Sequence, residues 1–227
     1  MRLVLTPSSL PEQVSETVVG ELRGRERADE IVVIGAHLDS WDLGTGALDD
    51  GAGVAVVIAA AKEIADLPRR PRRTIRVVLF GAEEIGESNK AYAAQHPASE
   101  QSHIAVASEC DLGADHIDGI ELPRGAADSE FGRLLARVVE PLGAYVSRNP
   151  ATDGGADLAK LTGVPLANLQ QDATRYFEFH HTAEDTLDKV ERRSLDQNVA
   201  VWTAFTYLAA DIPYDFRATP QERAVAP

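Results

Sequence analysis

The chain has one cysteine, Cys110, so no internal disulfide can cross-link it and its fold must rest on core packing. Basic side chains are also scarce: 22 Lys and Arg stand against 36 Asp and Glu, a formal net charge of -14. A balance of that sign argues against nucleic acid or an anionic membrane as partner, because either needs clustered Lys and Arg to neutralise phosphates. No apolar run approaches the roughly 18 residues of a membrane span, and residues 1–11 lack the charged-then-apolar layout of an export signal. Internal repeats and low-complexity tracts are missing as well.

What is present suits one globular domain. The 227 residues are 44% apolar, enough for one substantial core. Residues 1–212 are expected to form it, with 213–227 a polar, frayed tail. Short β-rich runs alternate with longer helical patterns, which is the signature of an α/β domain with a largely parallel central sheet. Strands are expected over residues 2–6, 16–23, 30–37, 74–80, 104–109 and 165–169, and helices over 51–66, 88–95, 129–142 and 194–211. The last helix opens with Ser194-x-x-Gln197, a capping-box pattern. Two runs, Ile31-Val32-Val33-Ile34 and Val77-Val78-Leu79-Phe80, are apolar without interruption, as in strands covered on both faces, and are expected at the sheet centre. Residues 67–73, rich in Pro and Arg, read as a surface turn.

On that map several chemistry-bearing residues fall at strand ends. His37 closes one central strand, Glu83 and Glu84 follow another, and Asp111 follows a third. Ligands of open α/β sheets bind outside the carboxyl ends of the strands, so these groups would meet at one rim. Between them lies Gly44-x-Gly46-Ala47-Leu48-Asp49-Asp50-Gly51-Ala52-Gly53, whose glycines allow a loop to aim a carboxylate inward. Two divalent cations about 3.5–4 Å apart need one bridging carboxylate, N and O donors to cap each ion, and a further carboxylate to move protons. His37, Asp49, Glu83, Glu84, Asp111 and His181 supply that inventory. Each piece also has a plainer reading: His37 as a hydrogen-bonded core histidine, Glu83-Glu84 as a solvated charged turn, His180-His181 as a surface loop. A phosphate-binding glycine loop is disfavoured, for no Lys-Ser/Thr follows and the acidic pair would repel phosphate.

The blocks Gly35-Ala36-His37-Leu38-Asp39-Ser40-Trp41-Asp42, Gly46-Ala47-Leu48-Asp49-Asp50-Gly51-Ala52-Gly53, Ala82-Glu83-Glu84, Glu109-Cys110-Asp111 and Tyr176-Phe177-Glu178-Phe179-His180-His181-Thr182 resemble the M28 metallopeptidases, most nearly their carboxypeptidase Q branch. The resemblance runs in order over about residues 15–211 and corresponds to the carboxy-terminal catalytic portion of that branch, without its export signal, leading helices and protease-associated insert. It implies a three-layer α/β sandwich around a mixed, largely parallel sheet. It implies two Zn2+ per chain, with His37 and Asp111 on one, Glu84 and His181 on the other, Asp49 bridging and Glu83 as general base. Asp39 matches a carboxylate that orients His37; Asp50 and Asp185 are expected behind the ligands, and the Asp49–Asp50 peptide matches one that is cis in relatives. His180 is expected to stabilise the oxyanion. Asp157, Asp172 and Tyr176 are expected at the substrate pocket, Asp172 facing a substrate ammonium. The implied activity is that of an aminopeptidase or dipeptidase hydrolysing short peptides through a hydroxide held between the metals, in relatives placed in the periplasm or outside the cell. Self-association would be one way to cover a sheet face left bare. A non-catalytic interaction module and another metal amidohydrolase, such as a deacylase, are the alternatives.

Overall fold

The computed structural model describes residues 2–8 and 10–218. Its central sheet holds β1 (Val18–Leu22), β2 (Arg27–His37), β3 (Arg73–Phe80) and β4 (Ile104–Glu109) in the order β1-β3-β2-β4. β2 runs parallel to both β3 and β4, and only β1 is antiparallel, against β3. A smaller sheet, with order β6-β5-β7, joins β5 (Ile117–Leu122), β6 (Tyr145–Pro150) and β7 (Asn168–Gln171). A bridge between Ala107 and Leu166 links it to β4, with Ala107 N donating to Pro165 O and Ala167 N to Ala107 O, both at 2.9 Å.

The uninterrupted apolar runs follow from cover on both faces. Val32, Ile34 and Ala36 point into the core under α1 (Ala52–Ala65) and the later long helix, beside Val56, Val57, Ala60, Trp202 and Phe205. Ile31 and Val33 alternate to the opposite core, with Val78, Phe80, Tyr92 and Leu158 beneath α2 (Ser88–Gln95). After α2 come α3 (Ala98–Gln101), α4 (Glu130–Val139), the short α5 (Tyr176–Phe179) and α6 (Arg192–Asp211). The result is the expected three-layer α/β sandwich. Among the described residues no helix is long and apolar enough to cross a membrane.

Five expectations change. Residues 2–6 form no strand: Leu3, Val4 and Leu5 are exposed, and a strand without a partner has nothing to satisfy its backbone. Strands β5 and β6 escape the sequence pattern because Asp118, Gly119, Arg148 and Asn149 interrupt their apolar periodicity. The strand expected over residues 165–169 starts only at Asn168, the preceding residues making the single bridge to β4. α6 begins at Arg192, so Ser194 and Gln197 form no capping box; Gln197 instead spends its amide on the backbone of Ile117 and Leu142. Arg73 is no surface turn residue: it is 2% exposed, opens β3, and donates to Glu30 and to the carbonyls of Ala209, Ile212 and Tyr214. Those contacts also hold down the start of the expected tail, where Phe216 is buried against Phe131 with ring centroids 4.9 Å apart; residues 219–227 lie outside the described residues.

Candidate metal centre

Because β2, β3 and β4 run parallel, their carboxyl ends deliver His37, Glu83–Glu84 and Asp111 to one rim. The link from β2 to α1 adds Asp49 from an irregular turn, Ala47–Gly51, in which the Asp49–Asp50 peptide is cis. That turn is clamped from two sides. Asp185 accepts from Leu48 N at 2.6 Å and Asp49 N at 3.1 Å, while the wholly buried Asp50 accepts from His37 N at 3.0 Å and Gly53 N at 3.1 Å. Position 53 requires glycine, since a Cβ there would sit 2.1 Å from Asp50 Oδ1 and 2.2 Å from the Cys110 carbonyl oxygen.

Asp49 is the hub. One of its oxygens, Oδ1, lies 3.1 Å from His37 Nε2, and the other, Oδ2, lies 3.2 Å from His181 Nε2. Each imidazole then faces a second carboxylate, Asp111 Oδ1 at 3.3 Å from His37 and Glu84 Oε2 at 3.0 Å from His181. His181 takes a left-handed backbone conformation, φ 60, to make this approach. Two trios gather donor atoms within 4.8 Å of one another: His37, Glu83 and Asp111, and His37, Asp49 and Glu84.

Asp39 behaves differently from expectation. Its carboxylate accepts from Glu83 N at 3.0 Å and Glu84 N at 3.2 Å, pinning the acidic pair, and stands 3.7 Å from His37 Nδ1. The nearer partner of Nδ1 is the Asp39 main-chain carbonyl, at 2.9 Å, and an N–H donated there leaves Nε2 free to ligate.

The electrostatics are those of a site short of positive charge. Burial opposes a charged His37, but hydrogen bonds to Asp111 and Asp49 outweigh it and push its pKa up to about 12. Burial first, then the charges of Asp111, Asp157 and Glu84, raise Glu83 to about 7 against the pull of His37. Glu84, Asp50 and Glu109 are raised too, again by burial first and then by neighbouring carboxylates. Among the described residues no Lys or Arg pairs with Asp39, Asp49, Asp50, Glu83, Glu84, Glu109, Asp111, Asp157 or Asp185. Glu84 Oε1 is buried and accepts no hydrogen bond, and the buried Asp111 Oδ1 has only the His37 imidazole beside it. Buried carboxylates in that condition need cations, and the mixed imidazole and carboxylate donors suit zinc.

The model for Peptidase family M28 matches residues 17–206. The chain belongs to peptidase family M28. Curated relatives of this M28 chain include carboxypeptidase Q of Bos taurus, 30% identical over 93% of this chain and 45% of that protein. Among solved structures, a peptidase M28 precursor from Shewanella amazonensis is 48% identical, with a TM-score of 0.84 over 90% of this chain and 46% of the other. A zinc aminopeptidase from Bacillus subtilis, 20% identical, shares the fold at a TM-score of 0.67 over 91% of this chain and 52% of its own. The M28 chain spans about half the length of the curated relatives it matches.

A cavity of about 350 Å³ opens over the cluster, lined by Asp49, Glu83, Glu84, Asp111, Leu112, Tyr176, Phe177, His180 and His181. His180 stacks on Tyr176 at 4.7 Å, and its Nδ1 is buried without a partner. Two expected pocket residues of the M28 chain lie elsewhere. Asp157 is 1% exposed and sits behind the site, bonded to Ser88 Oγ and, through its own N–H, to Glu109 Oε2 at 2.9 Å. Asp172 is exposed, turns back to accept from Thr174 N at 3.0 Å, and is not among the residues lining this cavity. One residue went unnoticed: Glu109, buried at the end of β4. Strand alternation places it on the same face as Asp111, and that signal was available in the sequence.

Proposed function

We propose that this chain is the catalytic part of a two-zinc exopeptidase acting on dipeptides or the free amino end of short peptides. The observation that carries the reading is Asp49, whose two oxygens each face a different imidazole while each imidazole faces a further carboxylate. His37 and Asp111 would hold one zinc, Glu84 and His181 the other, with Asp49 between them. Zinc bound there would polarise the scissile carbonyl and lower the pKa of water toward about 7.

The chain's own groups would do the rest. Glu83, fixed through its backbone N–H by Asp39 and raised toward neutrality, takes a proton from the attacking water and returns it to the departing amine. His180, stacked on Tyr176 at the cavity wall, would donate to the developing oxyanion. Asp50 and Asp185 hold the Asp49 turn still while charge moves.

The test is hydrolysis of free and amino-blocked dipeptides by the zinc-reconstituted chain. Glu83→Gln is expected to lower kcat by about 10²–10⁴-fold with two equivalents of zinc retained by elemental analysis. His180→Ala is expected to lower kcat about 10²-fold, again with zinc retained. Zinc lost with either substitution would make that residue a ligand or a structural support. Cleavage of blocked dipeptides in preference to free ones would replace the exopeptidase with a deacylase.

A further inference from the structure

The connection from β2 to the Asp49 turn is anchored at both ends, with Leu38 N donating to Phe80 O at 2.6 Å and Thr45 N to Asp185 O at 2.8 Å. Near its end Gly44 presses on the turn that carries His181, where a Cβ would come within 2.5 Å of the Thr182 carbonyl oxygen. Between those anchors stands Trp41, about half exposed. Its ring meets the His181 imidazole edge-on, with centroids 6.0 Å apart and planes at 60°. Its indole N–H faces the Glu84 carboxylate: burial first, then Asp49, raise Glu84, and the Trp41 N–H works against that shift. Glu84 Oε2 and His181 Nε2 are the pair 3.0 Å apart that would hold one zinc, so a single side chain reaches both. Among the described residues Trp41 makes no ring contact or hydrogen bond with His37 or Asp111.

The two imidazoles differ in what fixes them. The His37 side chain is wholly buried, and its Nδ1 is tied to the Asp39 carbonyl at 2.9 Å. The His181 side chain is 48% exposed on a left-handed residue, and among the described residues its Nδ1 has no hydrogen-bond partner. A ligating histidine ordinarily has its second ring nitrogen held by an acceptor, which sets the angle of the ring. At His181 ring packing stands in for that hold, against Trp41 and against His180 at 4.5 Å. We propose that Trp41 is a positioning residue for the zinc shared by Glu84 and His181, orienting the imidazole with its ring and the carboxylate with its N–H, while the zinc of His37 and Asp111 does without it. The role rests on the two-zinc reading, and the experiment separates the two.

The experiment measures the zinc affinities of the metal-free full chain by competition with a chromophoric chelator. Trp41→Phe keeps a ring and loses the N–H; Trp41→Ala loses both. One of the two zinc equivalents should weaken about 10-fold in Trp41→Phe and about 100-fold in Trp41→Ala, the other staying within about twofold of wild type. In a His181→Ala background, which removes the dependent ion, adding Trp41→Phe should leave the remaining affinity within about twofold, because both substitutions act on the same ion. The metal-free unfolding midpoint should be the same in wild type and both Trp41 variants, since the side chain is half exposed. Equal weakening of both equivalents, or a lowered metal-free midpoint in both variants, would make Trp41 a general support and overturn the role. Two equivalents bound as tightly by Trp41→Ala as by wild type would overturn it and leave the two-zinc reading standing. Wild type taking up fewer than two equivalents would sink that reading and the role with it.

Discussion

At the start of β3 the guanidinium of Arg73 meets Glu30 at 2.6 Å and three main-chain carbonyls, and Arg217, Arg27, Arg25 and Arg72 pair with Glu30, Asp211 and Glu26 around it. At the other end of the same strands, seven residues along β2 and about 23 Å away at ~3.3 Å per residue, nine carboxyl groups have, among the described residues, His37 and His181 as cationic partners and no Lys or Arg. The first end completes its charges from within the chain. The second does not, and it also buries Glu84 Oε1 without a partner and Asp111 Oδ1 with only an imidazole beside it. A structural network and a functional site built from the same residue types are thus told apart by whether the compensation is present. Uncompensated buried charge raises free energy, so a fold keeps it where something from outside will supply the balance.

The largest expected effect comes from breaking the balanced end. Arg73→Ala leaves Glu30 and three carbonyls without their donor, and chemical denaturation should show a loss of about 3–5 kcal/mol. Zinc should not restore it, because the lesion lies at the far end of the sheet.

Completing the other end should have an effect of opposite sign and comparable size. Zinc at about 1,000 times its dissociation constant is expected to stabilise the chain by about 4 kcal/mol, and EDTA should reverse the gain. Calorimetry with and without chelator reads this directly; an unchanged midpoint would remove the metal from the picture.

The smallest effect is also the most diagnostic, since the two ends respond to pH with opposite signs. Arg73 overcomes the burial cost of Glu30 and holds it below its ordinary value of 4.5, so its contribution is present above that pH and is lost as pH falls through the lower folded value. Asp157 is raised from 3.8 to about 6 by burial, so its contribution is full below 3.8 and is lost as pH rises through 6. The metal-free chain should then be most stable near pH 4 and lose stability as pH rises from there through about 6. With zinc that loss should shrink, because cations bound at the rim favour the charged form of the carboxyl behind it. A metal-free chain whose midpoint rises from pH 4.5 to 7 would contradict this account of the acidic rim.

Much of this was legible in the sequence, and the rest failed for identifiable reasons. The strand ends at His37, Phe80 and Glu109 could be read because buried parallel strands need unbroken apolar runs, and such runs stop where polar function begins. Strands β5 and β6 could not be read, since their polar residues face solvent or loops at positions that only pairing assigns. Asp157 and Asp172 sat in segments where sequence order carries no information about direction. One turned inward to Glu109 and the other outward to Thr174.

The sequence by itself determined the family, the layered α/β fold and the inventory of imidazole and carboxylate donors, because periodicity and short motifs are local and survive in one dimension. Only the tertiary structure decided that Asp49 faces two histidines 132 and 12 residues away along the chain, that Asp39 pins the Glu83–Glu84 backbone, and that Glu109 is buried against Asp157. Those are facts of distance between segments remote in sequence, fixed by strand register and by how the loops close over the rim.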